Sequence, residues 1–374
     1  MTQRRLYADL HIIQSLPPNN LNRDDTGSPK TAIYGGARRA RVSSQAWKRA
    51  ARVSFSGGQE PDLRAVRTRR LPELLAERLS ARAGLTPELA ARVSAILMDQ
   101  VVKEKADKKR YLIFFGMPQL DAVVDAVTAL NLPDDASQGD LREALSEVRL
   151  DDSLASGHPV DVALFGRMVA DLAKINVDAS AQVAHALSTH AVEIDFDYFT
   201  AVDDENPRED TGAGMIGMVE FNSATYDRYA SVGVHQLADN LSGSWEAAVE
   251  ALDSFVAAFT LSIPPGHQTS FAHRTRPALV AVVLREDQPV NLVSAFEAPV
   301  GGDRGVVAQS IARLVETFAS ERDRWGDRPV ATFASIAAPF VDQPTLDAAE
   351  KAFGPNLAFA DLRESLKAAV SGLS

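Results

Sequence analysis

The chain contains no cysteine. That absence excludes disulfide bonds, thiolate zinc sites, iron–sulfur clusters and cysteine nucleophiles. The G-x-S-x-G, P-loop and H-E-x-x-H motifs are missing too, and with them the commonest signatures of serine hydrolases, P-loop nucleotidases and zinc peptidases. Hydrophobic residues still make up 45% of the chain and charged residues 24%. This balance predicts a globular protein that folds without covalent cross-links.

Long apolar runs are lacking as well. No window approaches the roughly 20 apolar residues of a membrane span, and the stretch MTQRRLYADLHIIQ lacks the apolar core of a signal peptide. The sequence therefore predicts a cytoplasmic protein that does not enter a membrane.

Negative charge dominates the chain but is scarce near its amino terminus. The whole chain has 50 acidic and 39 basic side chains, whereas residues 1–110 have 22 basic and 11 acidic. No acidic residue lies between Asp25 and Glu60. Seven basic residues do lie there: Lys30, Arg38, Arg39, Arg41, Lys48, Arg49 and Arg52. Such a segment favours a polyanionic partner, because Lys and Arg displace counterions from phosphates whatever the net charge elsewhere. The alternative is a solvated helix face beside an arginine-rich edge strand, although solvated faces usually mix both signs.

Local patterns predict strands, a hairpin and a helix around this basic segment. Leu6 to Gln14 alternates like a strand with one buried face, and residues 15–30, rich in Pro, Asn and Gly, predict a loop. Residues 31–34 and 39–43 predict short strands that reverse at Gly35-Gly36. Ser44 is expected to cap a helix over residues 45–55.

Further along, residues 71–148 have helical periodicity, and Pro72, Pro87 and Pro118 each suit a first helical turn. PVDVALFGRM (159–168) predicts a strand, and residues 181–232 predict a long hairpin whose tip is polar and glycine-bearing. The last third alternates helices and strands. Together these patterns predict an α+β fold in which helices cover a sheet.

Enzymatic motifs are weak. Gly212, Gly214 and Gly217 match G-x-G-x-x-G, but no buried strand precedes them, so a hairpin tip is the better interpretation. Four carboxylate pairs could bind Mg²⁺: Asp24-Asp25, Asp151-Asp152, Asp195 with Asp197, and Asp203-Asp204. No third ligand accompanies any of them, and neither a metal nor a cofactor is expected.

The adjacent residues Tyr198 and Phe199 lie on a predicted strand. Neighbours on a strand face opposite ways, so at most one of these rings faces the core, and the other is free to stack on a nucleobase. The alternative is a small aromatic cluster internal to the hairpin. Taken by itself, Met168 is expected in the core.

Five longer blocks resemble one family. They are LNRDDTGSPKTAIYGGARRARVSSQAWKRA (21–50), PVDVALFGRM (159–168), AQVAHALSTHAVEIDFDYFTAVDD (181–204), FNSATYDRYASVGVHQLADNL (221–241) and HQTSFA (267–272). Together, and in this order, they resemble the CasC backbone subunit of the type I-E CRISPR surveillance complex, Cascade.

The resemblance implies a modified RNA-recognition-motif (ferredoxin-like) palm with a helical finger insertion and a protruding β-hairpin thumb, forming one hand-shaped chain over residues 1–374. The palm would comprise residues 1–58, 159–193 and 226–374, the finger 59–158 and the thumb 194–225. Copies would polymerise along one CRISPR guide RNA, kink it at regular intervals and present it to target DNA in antiviral defence. Subunits of the CasA, CasB, CasD and CasE types would be further partners.

The resemblance also implies RNA-contacting residues. Arg23, Lys30, Ser43, Gln45, Lys48 and Arg49 would hold guide phosphates, Met168 would be a wedge between bases, and Tyr198, Phe199 and Thr200 would lie at the kink. Arg41 and Arg52, from the basic segment, and Gln268, from the HQTSFA block, complete the predicted set. The family commonly has Lys before this glutamine; His267 stands there instead, which predicts a weaker, pH-dependent contact. At position 198, where other members can carry Trp, this chain has Tyr.

The predicted role is a non-catalytic RNA-binding scaffold. One alternative is a metal-dependent RNA-cleaving backbone subunit, as in type III complexes, with Asp24 or Asp25 as the loop aspartate. A second alternative is an oligomeric scaffold that contacts only protein.

Overall fold

The computed structural model describes residues 4–57, 65–101, 112–170, 172–201, 215–301 and 305–373. Its strands are β1 (Tyr7–Asn19), β2 (Thr31–Tyr34), β3 (Ala37–Val42), β4 (Ala65–Thr68), β5 (Ile113–Gly116), β6 (Ala181–Val183), β7 (Ala186–Ser188), β8 (Asp195–Ala201), β9 (Met215–Gly233), β10 (Leu279–Arg285) and β11 (Ala331–Ile336). Its helices are α1 (Ser44–Gly57), α2 (Leu71–Ala83), α3 (Pro87–Met98), α4 (Met117–Thr128), α5 (Gln138–Ala144), α6 (Leu150–Ala155), α7 (Val160–Phe165), α8 (Val234–Asn240), α9 (Trp245–Leu261), α10 (Gln268–Phe271), α11 (Val306–Trp325), α12 (Gln343–Phe353) and α13 (Phe359–Ser371). Short 3-10 turns cover Ala173–Ile175, Leu292–Phe296 and Ala338–Phe340.

The chain forms two compact units. Unit 1 comprises Met1–Phe55, Val183–Ser231 and Leu252–Ser374, and unit 2 comprises Ser56–Gln182 and Val232–Ala251. Each unit is built from segments that are distant in sequence, so non-local packing assembles both.

A mostly antiparallel sheet is the framework of unit 1, with the strand order β11-β10-β1-β9-β7-β3-β2. Its central strand β1 differs from the prediction in two ways. It runs on through Pro17 and Pro18 to Asn19, so the loop begins only at Asn20. Both of its faces are buried, because Asp9 and His11 on the face expected to be solvated are no more than 1% exposed.

The buried carboxylate of Asp9 is satisfied within the sheet. It accepts hydrogen bonds from the Tyr229 hydroxyl at 3.0 Å, the Arg285 Nε at 3.0 Å and the Val290 amide at 2.9 Å. These partners explain how a charged group can occupy a fully covered strand. The sequence pattern of β1 could not show them, because all three lie more than 200 residues away.

Several aromatic side chains pack in the core of unit 1. The rings of Phe318 in α11 and Phe353 in α12 stack with centroids 4.5 Å apart. Trp47 in α1, buried as predicted, meets Phe259 edge to face at 6.4 Å, and the buried guanidinium of Arg228 lies 3.7 Å from the centroid of the Trp47 ring. A cation stacked on an indole in this way tolerates burial, because the ring face replaces part of its hydration. Helix α1 is thereby anchored to the sheet.

Unit 2 is mainly helical, as the sequence predicted for residues 71–148. Leu75, Leu79, Val93, Leu97 and Leu120 belong to its buried core, beside the two-stranded β4–β5 ladder. Pro72, Pro87 and Pro118 all lie in first helical turns. Thr86 caps α3 as predicted, its side chain accepting from the Leu89 amide at 3.4 Å.

The strand predicted over residues 159–168 is wrong, since Val160–Phe165 is the helix α7. Asp161 to Leu164 are buried consecutively rather than alternately, so the two-residue pattern of valines and leucines did not mark one strand face. Gly166, at φ +74°, follows the helix, and its amide closes the last turn onto Val162. A residue with a Cβ would be strained at that φ.

The predicted long hairpin is confirmed in its stem. Strands β8 and β9 pair antiparallel from Asp195 opposite Phe221 to Ala201 opposite Met215. The predicted tip, with Asp203, Asp204, Gly212 and Gly214, lies outside the described residues.

Candidate nucleic-acid interface

The basic hairpin β2–β3 presents some of its arginines and buries another. Gly35 and Gly36 make the predicted reversal with φ of +57° and +73°. Arg38 is exposed, but Arg39 has no exposed surface and donates to the carbonyls of Ser188 at 2.9 Å and Phe296 at 2.8 Å. One of the seven cations in the acid-free segment is therefore a structural group. Sequence composition could not separate it from its neighbours.

Helix α1 begins one residue earlier than predicted. Its cap is Ser43 rather than Ser44, because the Ser43 Oγ accepts from the Ala46 amide at 3.3 Å. The Ser43 amide in turn donates to Asn22 Oδ1 at 2.8 Å, which joins the 20–30 loop to the helix start. Ser43 is only 7% exposed, although its hydroxyl keeps one proton to donate.

The remaining predicted contacts on α1 lie along its surface. Gln45 and Arg49 are exposed, while Lys48 and Arg52 are partly exposed. Partial burial lowers the pKa of Lys48 from its usual value. Lys30 is also partly exposed, and its backbone pairs with Asn22 and Arg41, so the loop, the hairpin and the helix form one continuous surface.

Two arginines of this surface are each held by a histidine. Arg23 Nη1 lies 2.9 Å from His267 Nε2, and Arg41 Nη1 lies 3.1 Å from His185 Nδ1. Desolvation is the main cause that lowers the pKa of both histidines, and the positive charge of the neighbouring arginine lowers it further. Each imidazole is therefore neutral near pH 7 and accepts a hydrogen bond from the guanidinium.

The sequence alone does not predict the His185 pairing. His185 lies on a β-rich segment, and no local pattern around it indicates a partner. The pairing depends on the fold, because 144 residues separate His185 from Arg41.

The loop around Gln268 borders the same surface. A Cβ at Gly266 would lie 2.5 Å from the Leu21 carbonyl oxygen, so only glycine allows this close approach to the 20–30 loop. Gln268 Oε1 accepts from Arg274 Nη2 at 3.1 Å. Arg274 is an exposed cation that sequence reasoning did not select.

Asp24, one of the two candidate catalytic aspartates, stabilises its own loop through hydrogen bonds. Its Oδ1 accepts from the Thr26 hydroxyl at 2.7 Å, the Thr26 amide at 2.9 Å and the Ser28 amide at 3.0 Å. The hydrogen bond from the Thr26 hydroxyl is the main cause of the lowered pKa of Asp24. Among the residues that the structure describes, no three His, Cys, Asp or Glu side chains are grouped to hold a metal ion.

The predicted aromatic residues on the hairpin stem of unit 1 are exposed to solvent. Tyr198 is 71% exposed and Phe199 is 49% exposed, and Thr200 is also exposed, so neither ring belongs to a core. Tyr198 shares one strand face with Phe196 and lies opposite Met218, both of which are exposed. Phe199 lies on the other face, opposite Gly217.

Met168 belongs to unit 2 and is 87% exposed. The expectation that this methionine lies in a core is therefore wrong. Its neighbours Arg167 and Val169 are each 5% exposed, so a single apolar side chain projects from otherwise covered backbone. All the other predicted RNA-contacting residues lie in unit 1.

Sequence comparison identifies the family. Residues 8–358 match the protein family described as CT1975-like protein. The chain belongs to the CT1975-like family. No curated protein matches this CT1975-like chain.

Two solved structures are similar to this CT1975-like protein over nearly its whole length. A chain of a "CRISPR RNA-guided surveillance complex, pre-nicking" is 29% identical with a TM-score of 0.81, and the match covers 97% of this chain and 100% of that one. A chain of a "CRISPR RNA-guided surveillance complex" is 28% identical with a TM-score of 0.63, covering 97% and 99%. The predicted α+β fold of the RNA-recognition-motif type with insertions is thus confirmed. No helix in the described part of this CT1975-like chain is long and apolar enough to cross a membrane.

Proposed function

We propose that this CT1975-like protein is the repeated backbone subunit of a type I-E CRISPR RNA-guided surveillance complex. It acts without catalysis in the cytoplasm. Copies line up along one guide RNA, hold its phosphates, kink it at regular intervals and present it to target DNA. Subunits of the CasA, CasB, CasD and CasE types complete the particle. The full-length similarity to chains of two such complexes supports this proposal.

One observation carries the RNA-binding part of the proposal: within the part of the chain that the structure describes, six cations of the unit 1 surface have no carboxylate partner. Elsewhere in unit 1, Arg285 pairs with Asp9 and Arg363 pairs with Asp253. In the described residues, none of the following surface cations forms an ion pair with a carboxylate: Arg23, Lys30, Arg38, Arg41, Lys48 and Arg49. Unpaired cations on one continuous surface fit a phosphate backbone.

Sequence-independent binding is what a guide carrier requires, because different guides carry different sequences. Phosphate contacts position a nucleic acid without reading its bases, and aromatic stacking tolerates any base. The surface supplies the first kind of contact through its arginines and lysines, and the hairpin supplies the second through Tyr198. His267 and His185 each fix the position of one arginine by accepting a hydrogen bond from its guanidinium.

The double variant Lys48→Ala/Arg49→Ala tests this function. We expect weaker binding of the full chain to single-stranded RNA, with a salt slope that is shallower by about 1.4, because each lost phosphate contact to a single strand removes about 0.7. The matched control is Arg324→Ala/Lys351→Ala, which removes one Arg and one Lys exposed elsewhere in unit 1. Unchanged affinity and slope in the first variant, or equal losses in both, would remove the surface from the proposed mechanism.

A further inference from the structure

The exposed side chain of Met168 stands on backbone that is held on both sides. On its amino-terminal side, Arg167 and Val177 exchange two backbone hydrogen bonds, at 2.9 and 2.8 Å. On its carboxyl-terminal side, the Val169 amide donates to Asn176 Oδ1 at 2.6 Å. The two peptides that flank Met168 are therefore both tied to the segment of residues 175–177.

The guanidinium of Arg167 anchors this arrangement within unit 2. It donates to three backbone carbonyls, those of Ile175 at 2.7 Å, Phe114 at 3.0 Å and Leu154 at 2.5 Å. These acceptors join three segments that are distant in sequence. Because Arg167 is only 5% exposed, its removal would leave buried carbonyls unsatisfied and would damage the unit as a whole.

The chain approaches Met168 through a position that only glycine fits. Gly166 has a φ of +74°, and a Cβ there would lie 2.8 Å from the Val177 carbonyl oxygen. The segment of residues 166–169 is thus pressed against residues 175–177 before Met168 leaves the surface. An apolar side chain 87% exposed on such restrained backbone is suited to a partner that it enters as a rigid wedge.

We propose that Asn176 is a positioning residue for Met168: its side-chain oxygen fixes the Val169 amide, so that the methionine enters the RNA stack from one set direction. This inference rests on the proposed function, in which Met168 separates two guide bases. A side chain separates bases efficiently only when folding has already fixed its backbone. If that backbone becomes ordered only on binding RNA, the entropy cost subtracts from the binding free energy.

Asn176 is a better probe of this role than Arg167. Asn176 is itself exposed, so truncating it to Ala opens a path by which water can reach the Val169 amide in place of the lost oxygen. Only the restraint on the carboxyl-terminal side of Met168 is lost, while the Arg167–Val177 pair and the guanidinium contacts remain. Asn176→Asp keeps an acceptor oxygen at the same place but adds a negative charge that opposes RNA binding.

These two variants therefore separate positioning from affinity. The probe is a set of single-stranded RNAs, each with 2-aminopurine at a different position, bound to the full chain. Unstacking at a kink raises the fluorescence of 2-aminopurine, so a wedge gives regularly spaced bright positions. We expect Asn176→Ala to reduce the contrast between bright and dark positions about fivefold, the factor that corresponds to one lost hydrogen bond, with little change in Kd.

Asn176→Asp should show the opposite behaviour, with full contrast and a larger Kd. Gln138→Ala is the matched control, since it removes another exposed amide side chain from unit 2, and it should match the wild type in both measurements. Full contrast in Asn176→Ala, or equal loss of contrast in Asn176→Asp, would overturn the positioning role. A wild-type chain that binds RNA with no bright positions would overturn it too, whereas failure to bind RNA would overturn the proposed function itself.

Discussion

The ring of Phe199 lies on Gly217, its partner across the two strands of the hairpin. A methyl group added at Gly217 would come within 2.1 Å of Phe199 Cζ, so the absence of a side chain at residue 217 leaves the space that the ring fills. Phe199 therefore lies against one face of the hairpin, and Tyr198 lies on the opposite face. The hairpin thus presents rings on both faces rather than hiding one in a core.

Gly217→Ala should consequently act like Phe199→Ala. We expect the added methyl group to displace the Phe199 ring, to leave the fold unchanged because this ring is half exposed, and to weaken the kink in bound RNA. Circular dichroism would check the fold, and the contrast of 2-aminopurine fluorescence along the RNA would check the kink.

Gly301→Ala is the matched control, because a Cβ at Gly301 meets no atom of the described residues within 4 Å. This variant should behave like the wild type. A normal kink in both Gly217→Ala and Phe199→Ala would show that the ring takes no part in bending RNA.

RNA affinity should rise as the pH falls through the pKa of His267 and His185. Desolvation, followed by Arg23 and Arg41, lowers these pKa values below 6.5, so both rings are neutral at pH 7 and become cationic only in more acidic solution. Each new cation on the surface adds a phosphate contact. We expect binding to be tighter, and the salt slope steeper, once the pH lies below the folded pKa of both rings than at about pH 7.5.

The same histidines should make the free protein less stable in acid. Because folding lowers the pKa of these two histidines from 6.5, their contribution to the free energy of unfolding is fully present above pH 6.5. That contribution is lost as the pH falls through the folded pKa. His185→Gln/His267→Gln keeps a hydrogen-bond acceptor for each arginine but cannot titrate. The RNA affinity of this variant, measured by fluorescence anisotropy, should depend little on pH. Its free energy of unfolding should lose less in acid than that of the wild type. If RNA affinity depends on pH as strongly as in the wild type, other groups cause the effect.

Asp227→Asn should stabilise the protein at neutral and alkaline pH. Asp227 is 4% exposed, its Oδ1 has no hydrogen-bond partner in the described residues, and burial raises its pKa to about 7. A raised pKa means that stability falls as the pH rises from 3.8 to about 7. The gain in free energy of unfolding should therefore approach, as an upper bound, about 4 kcal/mol above pH 7 and vanish near pH 4.

Urea denaturation at several pH values would measure that gain. Asp323→Asn, which changes an exposed aspartate of unit 1, should have no comparable effect. A stabilisation by Asp227→Asn that does not depend on pH would contradict the titration argument.

Matched RNA should remain intact when it is incubated with the assembled complex and Mg²⁺. The Oδ1 of Asp24 already accepts three hydrogen bonds within its loop, and in the described residues neither Asp24 nor Asp25 belongs to a group of three possible metal ligands. Denaturing gels would detect cleavage. Cuts at regular intervals that disappear in Asp25→Ala would overturn the non-catalytic role and support the metal-dependent alternative.

Local signals predicted the parts of the interface that neighbouring residues determine. The reversal at Gly35-Gly36, the buried Trp47 on its helix and the stem of the long hairpin all follow from patterns a few residues apart. Even here the predicted cap is one residue off, because Ser43 and Ser44 can both cap a helix, and only the structure shows that the Ser43 Oγ accepts from the Ala46 amide.

Other features escaped prediction because they depend on non-local partners. Val160–Phe165 reads as a strand in isolation, yet it forms a helix whose residues 161–164 are buried consecutively. Arg39 resembles the other cations of its segment, yet it is buried against carbonyls about 150 and 260 residues away. Met168 by itself predicts a core position, yet its side chain projects into solvent.

By itself, the sequence determined that the protein is a cysteine-free α+β chain with an acid-free basic segment suited to phosphate, since composition and short-range periodicity are properties of the chain alone. Only the tertiary structure decided which cations of that segment remain on the surface, which histidines hold them and which strand faces carry the exposed rings. Those choices depend on desolvation and on hydrogen bonds between segments that meet only after folding.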